Sequence, residues 1–249
     1  MVNAIIGDPK RGIRAYGYMV PTQASIPKQR TRQAHETLTP AMLALLAVTA
    51  AALTFIYRSV LPYYLDYSSN GFGTYWPHRF GLMLHITAGS TALLIGPFQL
   101  WSGLRNRFRR AHRWTGRVYI TAMALSVSAA IALALTPSYG WIYGLGLGLL
   151  AFAWTATCSV AFYAIRRGNI ALHRRWMIRA YVINFGFVFY RVTELGLVAL
   201  GIGSETERNI VEAWSCWSVP LVLILIVEGL VDAWKERKDA LVHVGSTGN

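Results

Sequence analysis

The sequence predicts an all-α, polytopic membrane protein, a helical bundle of about six transmembrane helices. Three observations carry this. Of the 249 residues, 54% are hydrophobic and only 14% charged, whereas a soluble domain carries about a quarter. Several apolar runs reach the roughly 20 residues that cross a hydrocarbon core of about 30 Å, and runs of that length exclude barrel strands. The 24 Lys and Arg are also unevenly placed, with six in residues 1–39, six in 102–117, five in 166–179 and three in 234–249. By the positive-inside rule, both termini and both arginine-rich connections face the cytoplasm.

Each element follows in order. Residues 1–39 are basic, contain Pro21 and Pro27, and have no apolar core. They read as a cytoplasmic tail with no cleavable signal peptide. Pro40 suits the first turn of a first span over about 40–60. Residues 61–79 are rich in Tyr, Gly, Ser and Trp and read as an external loop at the aromatic belt. The second span covers about 80–101, where Gly96-Pro97 is expected to kink the helix and free a carbonyl near Gln99. The third span covers about 118–136 and stops at Thr136-Pro137-Ser138. The fourth opens at Trp141 and runs to about 165, with Gly144, Gly146 and Gly148 as a close-packing face.

The fifth span covers about 180–201. An external acidic loop over 202–212 holds Glu205, Glu207 and Glu212. The sixth span covers about 213–234 and ends at Lys235-Glu236-Arg237-Lys238. The organisation is therefore a tail (1–39), a six-helix domain (40–234) and a second cytoplasmic tail (235–249). Cys158 and Cys216 fall inside spans without metal-site spacing, so they read as buried thiols with no disulfide.

A motif appears twice. His112-Arg113, then Arg117-x-Tyr119, precedes the third span; His173-Arg174, then Arg179-x-Tyr181, precedes the fifth. The histidines are 61 residues apart, which suggests a parallel repeat of a two-helix hairpin. Neutral imidazole ligates haem iron, and two helices can present one each. His112 and His173 are thus candidate haem ligands, with Arg113, Arg117 and Arg179 beside them for propionates. Gln99, Tyr119 and Tyr181 complete the candidate set. The same groups could instead hold a phosphate, a lipid head group or a quinone carbonyl, or simply anchor the boundary.

Ionisable groups inside spans are costly and are functional candidates by default. His85 lies in span two near its external end. Arg191 and Glu194 lie in span five, at i,i+3 on one face, and are expected to pair. His85 could join them at similar depth. Glu228 and Asp232 lie one turn apart in span six and are expected to pair with loop arginines.

These residues resemble a family of bacterial membrane proteins grouped as domain of unknown function (DUF) 2306. The resemblance rests on His85, Gly96-Pro97-Phe98-Gln99-Leu100, Leu104-Arg105, His112-Arg113-x-x-Gly116-Arg117-x-Tyr119, His173-x-x-Trp176-Met177-x-Arg179-x-Tyr181 and Arg191, about residues 80–195. It implies a multi-span protein of the bacterial inner membrane, with His85, His112, His173 and Arg191 as its polar signature. It brings no established activity.

The functional expectation is a membrane protein that binds haem b or a quinone for electron transfer, meeting a redox partner or larger membrane complex. A scaffold or assembly subunit, or an intramembrane lipid or isoprenoid enzyme, is the alternative. Membrane lipid is a sufficient partner for the net charge of +13. No recognition fold accompanies that charge, so nucleic acid is not expected as a partner. Hydrolase triads, CxxC pairs, phosphate-cradling Gly-Lys loops and HExxH are all absent.

Overall fold

In the computed structural model, residues 40–246 are described; the basic tail expected over 1–39 lies outside them. Helix α1 (Pro40–Phe55) starts at the expected proline. It continues through a π-helical turn (Ile56–Val60) into α2 (Leu61–Leu65). Residues 61–79, expected as a loop, instead form α2, α3 (Ser69–Phe72) and a 3-10 turn (Gly73–His78). Buried Phe72 organises this segment: Tyr63, Tyr67 and Trp76 meet its ring edge-on at 5.1–5.8 Å between centroids. Such T-shaped contacts satisfy the ring quadrupoles.

The long helices follow: α4 (Arg79–Leu104), α5 (Arg109–Ala134), α6 (Trp141–Arg166), α7 (Ile170–Asn184), α8 (Gly186–Ala199) and α9 (Glu205–Ser246). Five helical segments are long and apolar enough to span a membrane, and α7 with α8, bent by 41° at Phe185, makes a sixth as one broken span.

Several boundaries differ from expectation. Both His-Arg motifs are helical rather than loop, because arginine is a good helix former and the connections shrink to short turns. At Asn106 and Phe108 the chain takes positive φ to reverse direction between α4 and α5. Asn169 caps α7 by accepting from Leu172 N–H at 2.9 Å. The acidic segment 205–212 is also helical. Ser204 and Glu207 form a capping box, in which the Glu207 carboxylate accepts from the Ser204 backbone N–H at 2.8 Å and Ser204 Oγ accepts from Glu207 N–H at 3.4 Å. At its other end α9 runs on to Ser246 through the expected tail.

Helices α4, α5, α6 and α7 form a closed ring of neighbours. Helix α1 packs on α4 and α8, and α9 on α6, α7 and α8. Two tyrosines lock the ring. Pro97 lacks an N–H, so the carbonyl one turn earlier, Leu93, loses its helical partner. Tyr181 Oη, from α7, donates to that carbonyl at 3.1 Å. The freed carbonyl is therefore Leu93's, not one near Gln99. Gly96 permits the contact, because a Cβ there would overlap the Tyr181 ring.

The second bond mirrors the first. Trp154 Nε1, on α6, donates to the Tyr119 hydroxyl of α5 at 3.3 Å. Leu93 and Trp154 are 61 residues apart, as are the two histidines. Each hairpin's second helix thus sends a tyrosine to the matching position on the other hairpin's first helix.

Elsewhere Gly146 lies against the Trp214 ring of α9, while Gly148 faces open space, so the expected glycine face is only partly a packing face. Cys158 and Cys216 are buried free thiols, as expected.

Tyr181→Phe strands the Leu93 carbonyl. It is expected to cost about 0.5–2 kcal/mol and lower the thermal midpoint of detergent-purified protein by several degrees. Gly96→Ala is expected to cost more. A Tyr181→Phe midpoint equal to the parent's would show that the carbonyl is satisfied without the phenol.

Candidate functional site

The sequence-predicted residues separate into two groups at opposite ends of the bundle. At the arginine-rich end are the motif histidines. His173 Nδ1 donates to the Ala161 carbonyl of α6 at 2.9 Å. His112 Nδ1 lies 2.9 Å from Ser102 Oγ, whose own hydrogen is directed to the Phe98 carbonyl at 2.7 Å. In both, Nδ1 is the donor and Nε2 is left for a ligand, as in metal-binding histidines. The two imidazoles are near enough to interact through charge. Among the described residues, however, no cluster of three or more His, Cys, Asp or Glu is arranged to hold a metal ion.

Most of the groups expected to surround a cofactor there are committed elsewhere. Gln99 Nε2 donates to the His112 carbonyl at 2.9 Å and to Thr115 Oγ1, tying α4 to the first turns of α5. Tyr119 and Tyr181 hold the helix ring together. Arg179 pairs with Glu228 and Arg175 with Asp232, as anticipated for those two carboxylates. Arg113 and Arg117 remain exposed, with Arg117 4.7 Å above the Trp114 ring.

The second group lines a cavity of about 440 Å³ toward the opposite end of the bundle. Its walls come from α1 and its π turn, α4, α5, α6 and the broken α7–α8 span. His85 is on this wall. Its Nδ1–H donates to the Ser126 carbonyl at 3.0 Å, Ser126 Oγ returns a bond to the His85 carbonyl at 3.2 Å, and Phe187 meets the ring edge-on at 5.9 Å. Its Nε2 is likewise left for a ligand.

Arg191 and Glu194 form the expected pair, at 2.5 Å, and line the same cavity. His85 shares the cavity with them without bonding to either. Tyr63, Tyr75, Tyr139, Tyr143 and Tyr190 add phenols to its lining. Tyr139, in the turn before α6, donates to Glu205 at 2.7 Å. That carboxylate pushes the Tyr139 phenol up to about 12.

Three residues matter that the sequence reading passed over. Ser126 orients His85. Asn184 lines the cavity at the α7–α8 break, its Nδ2 buried near the Tyr119 hydroxyl but with no acceptor at hydrogen-bond distance among the described residues. Both are polar residues inside apolar runs, and the rule that flagged His85 applies to them as well. The third is Glu212. Assigned to a loop, it is instead fully buried in α9, with neither carboxylate oxygen hydrogen-bonded among the described residues. The neighbouring Tyr190 hydroxyl donates to Asn209 Oδ1, and Arg191 and Arg208 are the cations near enough to act on the carboxylate.

A family model described as "Predicted membrane protein (DUF2306)" matches residues 82–227. No curated protein and no solved structure matches the chain.

An uncompensated buried charge is costly, so an uncharged isostere is tolerated where the carboxylate has no partner. Glu212→Gln is therefore expected to purify at parental yield, with a thermal midpoint unchanged or a few degrees higher. A fall of more than several degrees would show that the carboxylate is compensated.

Proposed function

The chain belongs to the DUF2306 family of membrane proteins, and from the geometry above we propose that it binds a membrane quinone or quinol in the cavity between α4, α5, α6 and the broken α7–α8 span. One observation carries this reading. Polar groups converge on an otherwise aromatic and aliphatic pocket of about 440 Å³, within the range of roughly 300–1,000 Å³ for small-molecule sites. The His85 Nε2 lone pair suits a quinol hydroxyl, and Asn184 Nδ2 suits a ring oxygen. Phe55, Trp154 and Phe187 supply aromatic surface. The surrounding helices depart from regularity here, with a π turn in α1 and a break at Phe185; such departures recur at functional sites. The positive-inside rule supports a cytoplasmic arginine-rich end and a cavity toward the other face.

A second reading, haem b between His112 and His173, has one observation in its favour: both imidazoles are anchored through Nδ1 and leave Nε2 free. Two others weigh against it. The cavity lining includes neither histidine, and Arg179 is already paired with Glu228.

Equilibrium dialysis of detergent-purified protein against a short-chain benzoquinol tests the first reading. His85→Ala and Asn184→Leu are each expected to weaken binding about tenfold, about 1.4 kcal/mol. Unchanged affinity in both variants would remove the cavity as the site. For the haem reading, a dithionite-reduced minus oxidised spectrum of protein from haem-replete cells is decisive. A sharp α-band lost in His112→Ala would establish it, and a featureless spectrum would end it.

A further inference from the structure

Residues 67–193 contain no Asp or Glu, so the four-helix ring has no acid of its own to balance its arginines. The second motif is partly neutralised from outside the ring by α9, through Arg175–Asp232 and Arg179–Glu228, with Arg174 in no ion pair among the described residues. The first motif is not. Arg110, Arg113 and Arg117 enter no ion pair among the described residues.

These three side chains fall at i, i+3 and i+7 and share one face of the first turns of α5. With Trp114 they surround a pocket of about 210 Å³. All four residues are exposed, and the Arg117 guanidinium is steadied 4.7 Å above the Trp114 ring. Just beyond the pocket the exposed surface turns apolar, with Val118 and Leu125 on α5 at 46% exposure each. A guanidinium cluster with an indole at its edge and an aliphatic strip beyond it matches the order of phosphate, glycerol and acyl chain across a membrane boundary.

We propose that Arg110, Arg113, Arg117 and Trp114 form a binding site for an anionic glycerophospholipid. The arginines take its phosphate oxygens, and the apolar strip from Trp114 to Leu125 takes an acyl chain. The bound lipid supplies to α5 the negative charge that α9 supplies to α7. The site lies at the other end of the molecule from the cavity and stands independently of the quinone reading.

Native mass spectrometry in a neutral detergent tests it, with phosphatidylglycerol, phosphatidylcholine and inorganic phosphate as probes. The wild-type protein is expected to retain phosphatidylglycerol at least tenfold better than phosphatidylcholine, and millimolar inorganic phosphate is expected to leave that retention unchanged. Arg110→Gln/Arg113→Gln/Arg117→Gln is expected to lose the preference, whereas Arg166→Gln/Arg167→Gln/Arg174→Gln, which removes equal charge elsewhere, keeps it. Equal loss in both triple variants would reduce the effect to bulk charge. Displacement by phosphate would make this a site for a free anion, and equal retention of phosphatidylcholine would remove any anion site; each of these overturns the proposal. Should the first triple variant fail to fold, Arg113→Lys keeps the charge but loses the fork geometry. It is then expected to lower retention about threefold, and unchanged retention would count against the site.

Discussion

The bundle depends on how it deals with one missing hydrogen bond. Proline at position 97 removes a donor from the middle of α4, inside a medium with no water to replace it. The orphaned carbonyl of Leu93 recruits the Tyr181 phenol from α7, and glycine at position 96 clears room for the ring. A local defect thereby becomes a tertiary contact that joins the first and last helices of the ring. The matching Trp154–Tyr119 bond ties α5 to α6 on the opposite side of the ring. The same four helices carry His85, Ser126 and Asn184, which line a common cavity.

Much of this architecture is legible in the sequence, and the part that is not has identifiable causes. Apolar run length gives the spans, because hydrocarbon thickness is a hard constraint. The Arg191–Glu194 pair is legible because both partners lie on one helix, and the pairing of Glu228 and Asp232 because an acid on an apolar helix needs a partner wherever one can reach. Tyr119 and Tyr181 are visible as a repeat, yet their role is not, since nothing in a linear motif says that each crosses to the other hairpin. Gln99 is misread for the same reason: its amide serves a neighbouring helix rather than a ligand. Glu212 is misread through a missed signal, the Ser-x-x-Glu capping box that starts α9 a full two turns earlier than hydropathy suggests.

Irregular backbone and polar side chains coincide in this molecule. The π turn of α1, the break between α7 and α8, and the reversal before α6 all border the same cavity. Regular helices bury their own polar groups and present hydrocarbon to whatever they face. Where the ladder is interrupted, Asn184 and Ser59 line the cavity. Asn184 sits at such a break, while His85, Ser126, Arg191 and Glu194 reach the same cavity from regular stretches of α4, α5 and α8.

The length of α9 has a structural consequence. At one end Glu205 and Asn209 border the cavity; at the other, Glu228 and Asp232 hold the arginines of α7. About 35 Å of a single helix separates them, at 1.5 Å per residue. One helix therefore carries both the residues that border the cavity and the acids that pair with the arginines of α7. Pro220 sits between the two ends and removes one rung of the ladder. Helix α9 is thus one continuous element, long and apolar enough to cross a membrane, with its acids divided between its two ends.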